Sequence, residues 1–127
     1  MKVLITGSNG FIGKNLIARI KEKSNITVVT FSREDAEKDL DKLVDDIDLV
    51  IHLAGVNRPE HDDLFLKDNL KLTTSLCDLL KSKGNKVPII FSSSTQATLD
   101  NPYGKSKLMS EEVINRYSTE TNSIAYI

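Results

Sequence analysis

Tyr103 and Lys107 stand four residues apart in Tyr103-Gly104-Lys105-Ser106-Lys107, and on a helix that spacing puts both side chains on one face. A free phenol titrates at about pH 10 and exchanges protons poorly at neutrality. An ammonium group beside it favours the phenolate, so the pair can work as a general acid–base. Just upstream, Phe91-Ser92-Ser93-Ser94 gathers hydroxyls where an apolar segment ends. There the Ser94 hydroxyl can hydrogen-bond a substrate carbonyl. Each piece is common alone: Tyr-x-x-x-Lys arises by chance, and a serine after a strand usually caps the next element. Their order along the chain is what makes them specific.

That order begins with Thr6-Gly7-Ser8-Asn9-Gly10-Phe11-Ile12-Gly13, glycines three apart between an apolar run and an amphipathic one. Gly7 permits the tight turn, Gly10 lets the backbone approach a diphosphate, and Gly13 lets the following helix pack closely. A diphosphate would sit on the free N–H groups of the helix N-terminus. The next apolar run ends in Phe31-Ser32-Arg33. A dinucleotide fold that prefers NAD places Asp or Glu at this point, about 20 residues past the glycines. A carboxylate repels a 2′-phosphate, whereas a hydroxyl and a guanidinium hold one. Ser32 and Arg33 therefore point to NADP(H) over NAD(H). Glu34 and Asp35 are the acidic alternative, and Arg33 as a solvated charge is the plain one.

The elements that must position these groups follow from periodicity. Lys2–Thr6 is a short buried strand, 11–23 a helix with Ile12, Leu16, Ile17 and Ile20 recurring at helical spacing, and 26–31 a β-branched strand. Residues 33–48 hold eight acidic and three basic residues, so a short solvent-facing helix is expected there. A third buried strand spans 49–54. A long helix follows over 62–83, with Phe65, Leu72, Leu76, Leu79 and Leu80 inward and Gly84 to stop it. Residues 87–91 form a fourth strand. Asn101-Pro102 opens a helix running to about Thr119, with the asparagine as cap and proline at the first position. Residues 123–127 open a fifth strand. Strands alternating with helices predict an α/β fold, a doubly wound parallel sheet of about five strands.

Composition narrows the partners. With 17 Lys+Arg against 18 Asp+Glu, net charge −1, the chain lacks the basic face that nucleic acid or an anionic membrane requires. Its apolar runs fall far short of the roughly 20 residues that span a bilayer. One cysteine, Cys77, excludes an internal disulfide and a cysteine-rich zinc site, and no metal is expected. A cytoplasmic location is the expectation from the opening residues and from cysteine usage.

In order, Thr-Gly-x-x-Gly-Phe-Ile-Gly at 6–13, His-Leu-Ala-Gly at 52–55, Ser-Ser-Ser at 92–94 and Pro-Tyr-Gly-Lys-Ser-Lys at 102–107 resemble motifs of the extended short-chain dehydrogenase/reductases. These are the nucleotide-sugar epimerases, dehydratases and reductases. The resemblance implies an NAD(P)-binding Rossmann-type sheet. By it, Gly7, Gly10, Phe11, Ile12 and Gly13 contact the diphosphate, while Leu53, Ala54 and Gly55 line the path from adenine ribose to nicotinamide. Asn69 matches a partly architectural helix asparagine. Ser94 (with Thr95 as alternate), Tyr103 and Lys107 match the catalytic triad, Lys107 also holding the nicotinamide ribose. Residues 52–62 and 94–103 resemble the branch that uses NADPH to reduce the C4 ketone of a UDP-4-keto-6-deoxy-N-acetylhexosamine for capsular polysaccharide.

Two departures accompany the resemblance. The 33–48 stretch leaves little room for the further strand usual before the His-x-Ala-Gly strand, and only nine residues separate Ser94 from Tyr103. Family members also continue for roughly another 150 residues of sheet and sugar-binding domain. The resemblance thus implies that 1–127 is an incomplete dinucleotide-binding domain, inactive alone, of an enzyme that acts as a homodimer on a UDP-linked keto sugar. A 4-epimerase, which retains NAD, is disfavoured by Ser32-Arg33. A 4,6-dehydratase needs an Asp-Glu pair where Thr95-Gln96 stands. A non-catalytic dinucleotide-binding module on the same fold is the remaining alternative. His52, within an apolar strand, and Cys77, among leucines, read as packed core residues. His61 reads as solvated, and Arg58 as a surface residue or a substrate-diphosphate contact.

Overall fold

The structure is a computed structural model, and it describes residues 1–23, 25–56, 61 and 65–127. Arg58 and the expected helix start at 62–64 lie outside the described residues. Five strands, β1 (Lys2–Thr6), β2 (Thr27–Phe31), β3 (Leu49–His52), β4 (Ile89–Phe91) and β5 (Ala125–Tyr126), form one sheet in the order β2-β1-β3-β4-β5. Every pairing is parallel. From β1 the chain winds outward to β2, then returns to place β3 on the other flank of β1. This reversal leaves a crevice at the carboxyl ends of β1 and β3, where such sheets bind ligands.

Strand side chains alternate between two buried layers, as a sheet covered on both faces requires. Val3, Ile5 and Ile51 face α1 (Phe11–Lys21), which lays Leu16, Ile17 and Ile20 on them. Leu4, Val50, Ile89 and Phe91 face the opposite layer. There Leu40 of α2 (Leu40–Leu43), Leu76 and Leu80 of α3 (Lys71–Ser82) and Ile114 of α4 (Pro102–Thr121) complete the main core. Tyr117 pins α4 to the approach of β4: its hydroxyl accepts from the Val87 N–H at 3.0 Å and donates to the Asn85 carbonyl at 2.7 Å. Lys83 ties α3 to the α2 region through Asp45 at 2.7 Å and Asp41 at 3.3 Å. No helix among the described residues is long and apolar enough to cross a membrane.

The expected doubly wound sheet is present, with strand ends shifted by one or two residues. Asn101 caps α4 as expected, its side-chain oxygen accepting from the Gly104 N–H at 2.7 Å with Pro102 at the first position. Two elements differ. The 33–48 stretch is no continuous helix: a 3₁₀ turn (Glu37–Asp39) leads into the single turn of α2, and Asp46 then takes a left-handed backbone, φ 56. Eight acidic residues in 16 leave a helix there little to gain. The helix before α3 starts as a π-helical stretch, Phe65–Leu70. Thr73 and Thr74, in the first turn of α3, turn their hydroxyls back onto the carbonyls of Asn69 and Leu70, at 2.8 and 2.9 Å, a competition that loosens the α-helical ladder. A 3₁₀ turn, Thr95–Thr98, was not anticipated.

Candidate functional site

The glycine turn leaves β1 with Gly7 at φ +70, where a Cβ would lie 2.7 Å from the Ala54 nitrogen. A Cβ on Gly13 would lie 2.4 Å from the Gly7 carbonyl oxygen, so α1 begins hard against the turn only because both positions lack side chains. Gly10 caps α1 without any side-chain hydrogen bond, and the first turn carries no acidic residue. The N–H groups of that turn, among them those of Phe11 and Ile12, have no partner inside the helix. The turn is therefore open to an anion, and a dinucleotide diphosphate fits the cradle. The Phe11 and Ile12 side chains are exposed, so their contribution would come from the backbone. Leu53 and Ala54 flank the turn, donating their N–H groups to the Thr6 carbonyl and hydroxyl, both at 3.2 Å.

At the end of β2 the buried Ser32 is already engaged. Asp35 accepts from its backbone N–H at 2.6 Å and from its hydroxyl at 2.9 Å. Glu34 takes a hydrogen bond from the Asn9 side chain at 3.2 Å, which carries a second carboxylate to the rim of the glycine turn. Arg33 is exposed. One guanidinium and two carboxylates thus lie together at the end of β2, with Glu34 tied to the glycine turn through Asn9.

The acid–base groups assemble where β3 and β4 end. Lys107 is 4% exposed. Its Nζ donates to the Ser92 carbonyl at 2.9 Å, lies 4.7 Å from the Phe91 ring centroid, and is 6.0 Å from the Tyr103 ring centroid. Burial lowers the Lys107 pKa, and the Glu111 carboxylate opposes that shift. Phe65 backs Tyr103 with ring centroids 5.4 Å apart. Ser94 caps the 3₁₀ turn by accepting from the Gln96 N–H at 3.2 Å, which leaves its own hydrogen to donate. A Cβ on Gly55 would come 3.2 Å from Lys107 Nζ and 3.5 Å from Asn69 Oδ1. Asn69 clamps the turn after β3, its Oδ1 accepting from the Val56 N–H at 2.6 Å and its Nδ2 donating to the Val56 carbonyl at 3.1 Å.

Lys107, Tyr103, Gly55 and Asn69 are therefore brought together beyond β3 and β4, whereas Ser94 is held by its own 3₁₀ turn and Arg33 stands exposed at the end of β2. Several residues that sequence reasoning missed support them: Phe65, Thr73, Ser106 and Glu111. Ser93 donates to Glu111, and Ser106 accepts from Asn69 at 3.1 Å. A signal for Glu111 was present, because Tyr103, Lys107 and Glu111 recur every four residues and so share a helix face. His52 and Cys77 are buried, as expected of core residues. No cluster able to hold a metal occurs among the described residues.

Residues 3–127 match the NAD dependent epimerase/dehydratase family. The whole chain is 43% identical to the UDP-2-acetamido-2,6-beta-L-arabino-hexul-4-ose reductase of Pseudomonas aeruginosa, covering 34% of that protein. It superposes with a TM-score of 0.85 and 40% identity on the capsular polysaccharide assembling protein CapF of Staphylococcus aureus, covering all of this chain and 34% of CapF. A UDP-glucuronic acid 4-epimerase of Bacillus cereus, in complex with NAD, gives a TM-score of 0.85 at 22% identity over 98% of this chain and 55% of that one, a likeness of fold. The chain spans about a third of the length of the reductase and of CapF.

Proposed function

The chain belongs to the NAD dependent epimerase/dehydratase family, and on that premise we propose that it is the dinucleotide-binding and acid–base part of a reductase. The substrate is the C4 ketone of a UDP-linked 4-keto-6-deoxy-N-acetylhexosamine. The observation that carries this is buried Lys107, held by the Ser92 carbonyl beneath Tyr103, on the same sheet as a glycine turn whose cap, Gly10, makes no side-chain hydrogen bond. Identity of 43% to a hexul-4-ose reductase over all 127 residues supports this substrate class.

A reduced nicotinamide, when bound, supplies hydride to the carbonyl carbon. Tyr103 gives its phenolic proton to the carbonyl oxygen, so the ketone becomes an alcohol. The Lys107 ammonium stabilises the phenolate left behind and would hold the nicotinamide ribose. Ser94, fixed as the cap of its 3₁₀ turn, directs its hydroxyl hydrogen to the same oxygen. Gly7, Gly10 and Gly13 with the first turn of α1 would receive the diphosphate. Arg33 favours the 2′-phosphate of NADP(H) as cofactor. The Asp35 carboxylate on Ser32 favours a second reading, NAD(H), with an acidic group beside a free 2′-hydroxyl.

The test uses the whole enzyme that contains this chain. Tyr103→Phe removes only the ionisable hydroxyl, so dinucleotide binding should persist while turnover of the keto sugar falls by about 10²–10⁴. Lys107→Ala should damage both. A Tyr103→Phe enzyme with near-normal kcat would refute the assignment.

A further inference from the structure

His52 closes β3 and is 1% exposed, yet both its ring nitrogens have hydroxyl partners. Nδ1 lies 2.6 Å from Thr6 Oγ1, and Nε2 lies 2.9 Å from Thr73 Oγ1. The proton positions follow from what each partner can do. Thr73 has one hydroxyl hydrogen, and it goes to the Asn69 carbonyl at 2.8 Å, an oxygen that can only accept. Thr73 Oγ1 must therefore accept from His52, which places the imidazole proton on Nε2. Nδ1 is then bare and accepts from the Thr6 hydroxyl, whose oxygen in turn accepts from the Ala54 N–H at 3.2 Å.

We infer that His52 is a positioning residue, held as the neutral Nε2-protonated ring at the centre of a one-way hydrogen-bond chain that leads from the dinucleotide-facing backbone to Asn69, the link to the helix bearing Tyr103 and Lys107. The chain runs from the Ala54 N–H through Thr6 to His52, and from His52 through Thr73 to the Asn69 carbonyl. The hydrogen bonds of this run end at that carbonyl, and the link to α4 passes through Asn69 itself, whose side chain donates to Ser106 at 3.1 Å, while Ser106 donates to the Tyr103 carbonyl at 2.7 Å. Strand register supports the arrangement, because Thr6, His52 and Phe91 are successive neighbours across β1, β3 and β4. Phe91 stacks on His52 with centroids 5.3 Å apart and also carries the Lys107 ammonium. One imidazole thus touches the strand that enters the glycine turn, the helix that carries Asn69 and the ring beneath Lys107. Burial, reinforced by the Lys107 charge, lowers the His52 pKa to about 3, in keeping with a neutral ring.

The hydrogen-bond chain stands on the geometry alone; its consequence for cofactor binding rests on the function proposed above. Long-range ¹H–¹⁵N correlation of the ¹⁵N-labelled chain at pH 7 reads the ring directly. The expected pattern is an Nε2–H neutral tautomer, and an Nδ1–H or imidazolium pattern overturns the chain. Saturating the same sample with NADPH should shift the His52 ring nitrogens, and unchanged shifts at saturation overturn the positioning role. Thr73→Val removes the acceptor with little change of shape, and should weaken NADPH binding roughly three- to tenfold, with Thr73→Ser restoring it. Unaltered binding by a folded Thr73→Val chain also overturns the role. If the wild-type chain binds neither NADPH nor NADH, the proposed function and the positioning role fail together, while the ring-nitrogen pattern still decides the hydrogen-bond chain.

Discussion

Under the proposed function, Arg33 and Asp35, two residues apart, oppose each other in cofactor choice. Asp35 occupies the Ser32 hydroxyl, so recognition of a 2′-phosphate falls to the Arg33 guanidinium. A charge-assisted contact of that kind is worth about 1.5–3 kcal/mol, or roughly ten- to hundred-fold in affinity. NADPH should bind more tightly than NADH by that factor. Arg33→Asp should erase or reverse the preference, and Asp35→Asn should widen it. Equal calorimetric midpoints for the two cofactors would exclude the role. The sequence showed Ser32 and Arg33 but not the Asp35 latch, because a hydrogen bond closed over three residues has no periodic signature. His52 presents the converse case: its burial was legible from the apolar strand around it, but its two hydroxyl partners come from β1 and α3, 46 and 21 residues away.

The same ring makes stability depend on pH. Burial first, and then the Lys107 charge, depress the folded-state pKa from 6.5 to about 3. At pH values between these, the unfolded chain binds the proton that the folded chain refuses. His52's contribution is therefore complete above about pH 6.5 and is lost as pH falls towards 3. The gap corresponds to something on the order of 5 kcal/mol. Urea unfolding across that window should show stability falling with acid, and the His52 ring resonances should not titrate before the chain unfolds. A ring titrating near its ordinary value in the folded state would refute this.

Among elements, α4 brings most of the site together and depends on how its first turn seats. A Cβ on Gly104 would lie 2.0 Å from the Gln96 carbonyl oxygen and 2.8 Å from that of Leu99, so the helix start rests directly on the 3₁₀ turn capped by Ser94. Gly104→Ala has to part these two elements. It should cost about 1–3 kcal/mol, as overpacking does, seen as a lower urea midpoint at unchanged slope. A change below about 0.5 kcal/mol would show that the seat is soft. Gly104 was visible in the sequence only as a residue inside the Tyr-x-x-x-Lys spacing, since its demand comes from a turn no periodicity announces. The strands were legible as short apolar or β-branched runs, α1 and α3 from apolar residues at helical spacing, and α4 from its Asn101 cap and Pro102. The acidic 33–48 stretch and the π-helical start before α3 were not. There, charge and side-chain hydroxyls compete with the backbone, and the apolar pattern holds no record of that contest.

At the scale of the molecule, the two faces of the sheet are unequally covered. Among the described residues, helices α2, α3 and α4 close one face, whereas α1 alone packs on the other, against β1 and β3. Ile89 and Ala125 turn towards the closed face, so Ile90 and Tyr126, adjacent in register, turn towards the other, where they are 38% and 56% exposed. Ile124 and Ile127 are exposed beside them, and among the described residues β5 pairs on one side only, with β4. An open edge flanked by apolar side chains is a template for another strand. The 127-residue chain should therefore self-associate as its concentration rises, and Tyr126→Lys, which sets a charge on that edge, should shift it towards monomer. Static light scattering on both proteins measures this directly. Turnover by the chain alone should be absent, because holding a carbonyl within about 3–3.5 Å of a hydride donor draws on some 7–11 kcal/mol of positioning. This chain spans 34% of the reductase it resembles, and under the proposed function it offers Ser94 and Tyr103 to a carbonyl with no wall among the described residues to orient a sugar. A wild-type chain that stays monomeric over the concentration range would remove the edge as an association surface. NADPH oxidation with the keto sugar at a rate comparable to the whole enzyme would show that these five strands suffice for the chemistry.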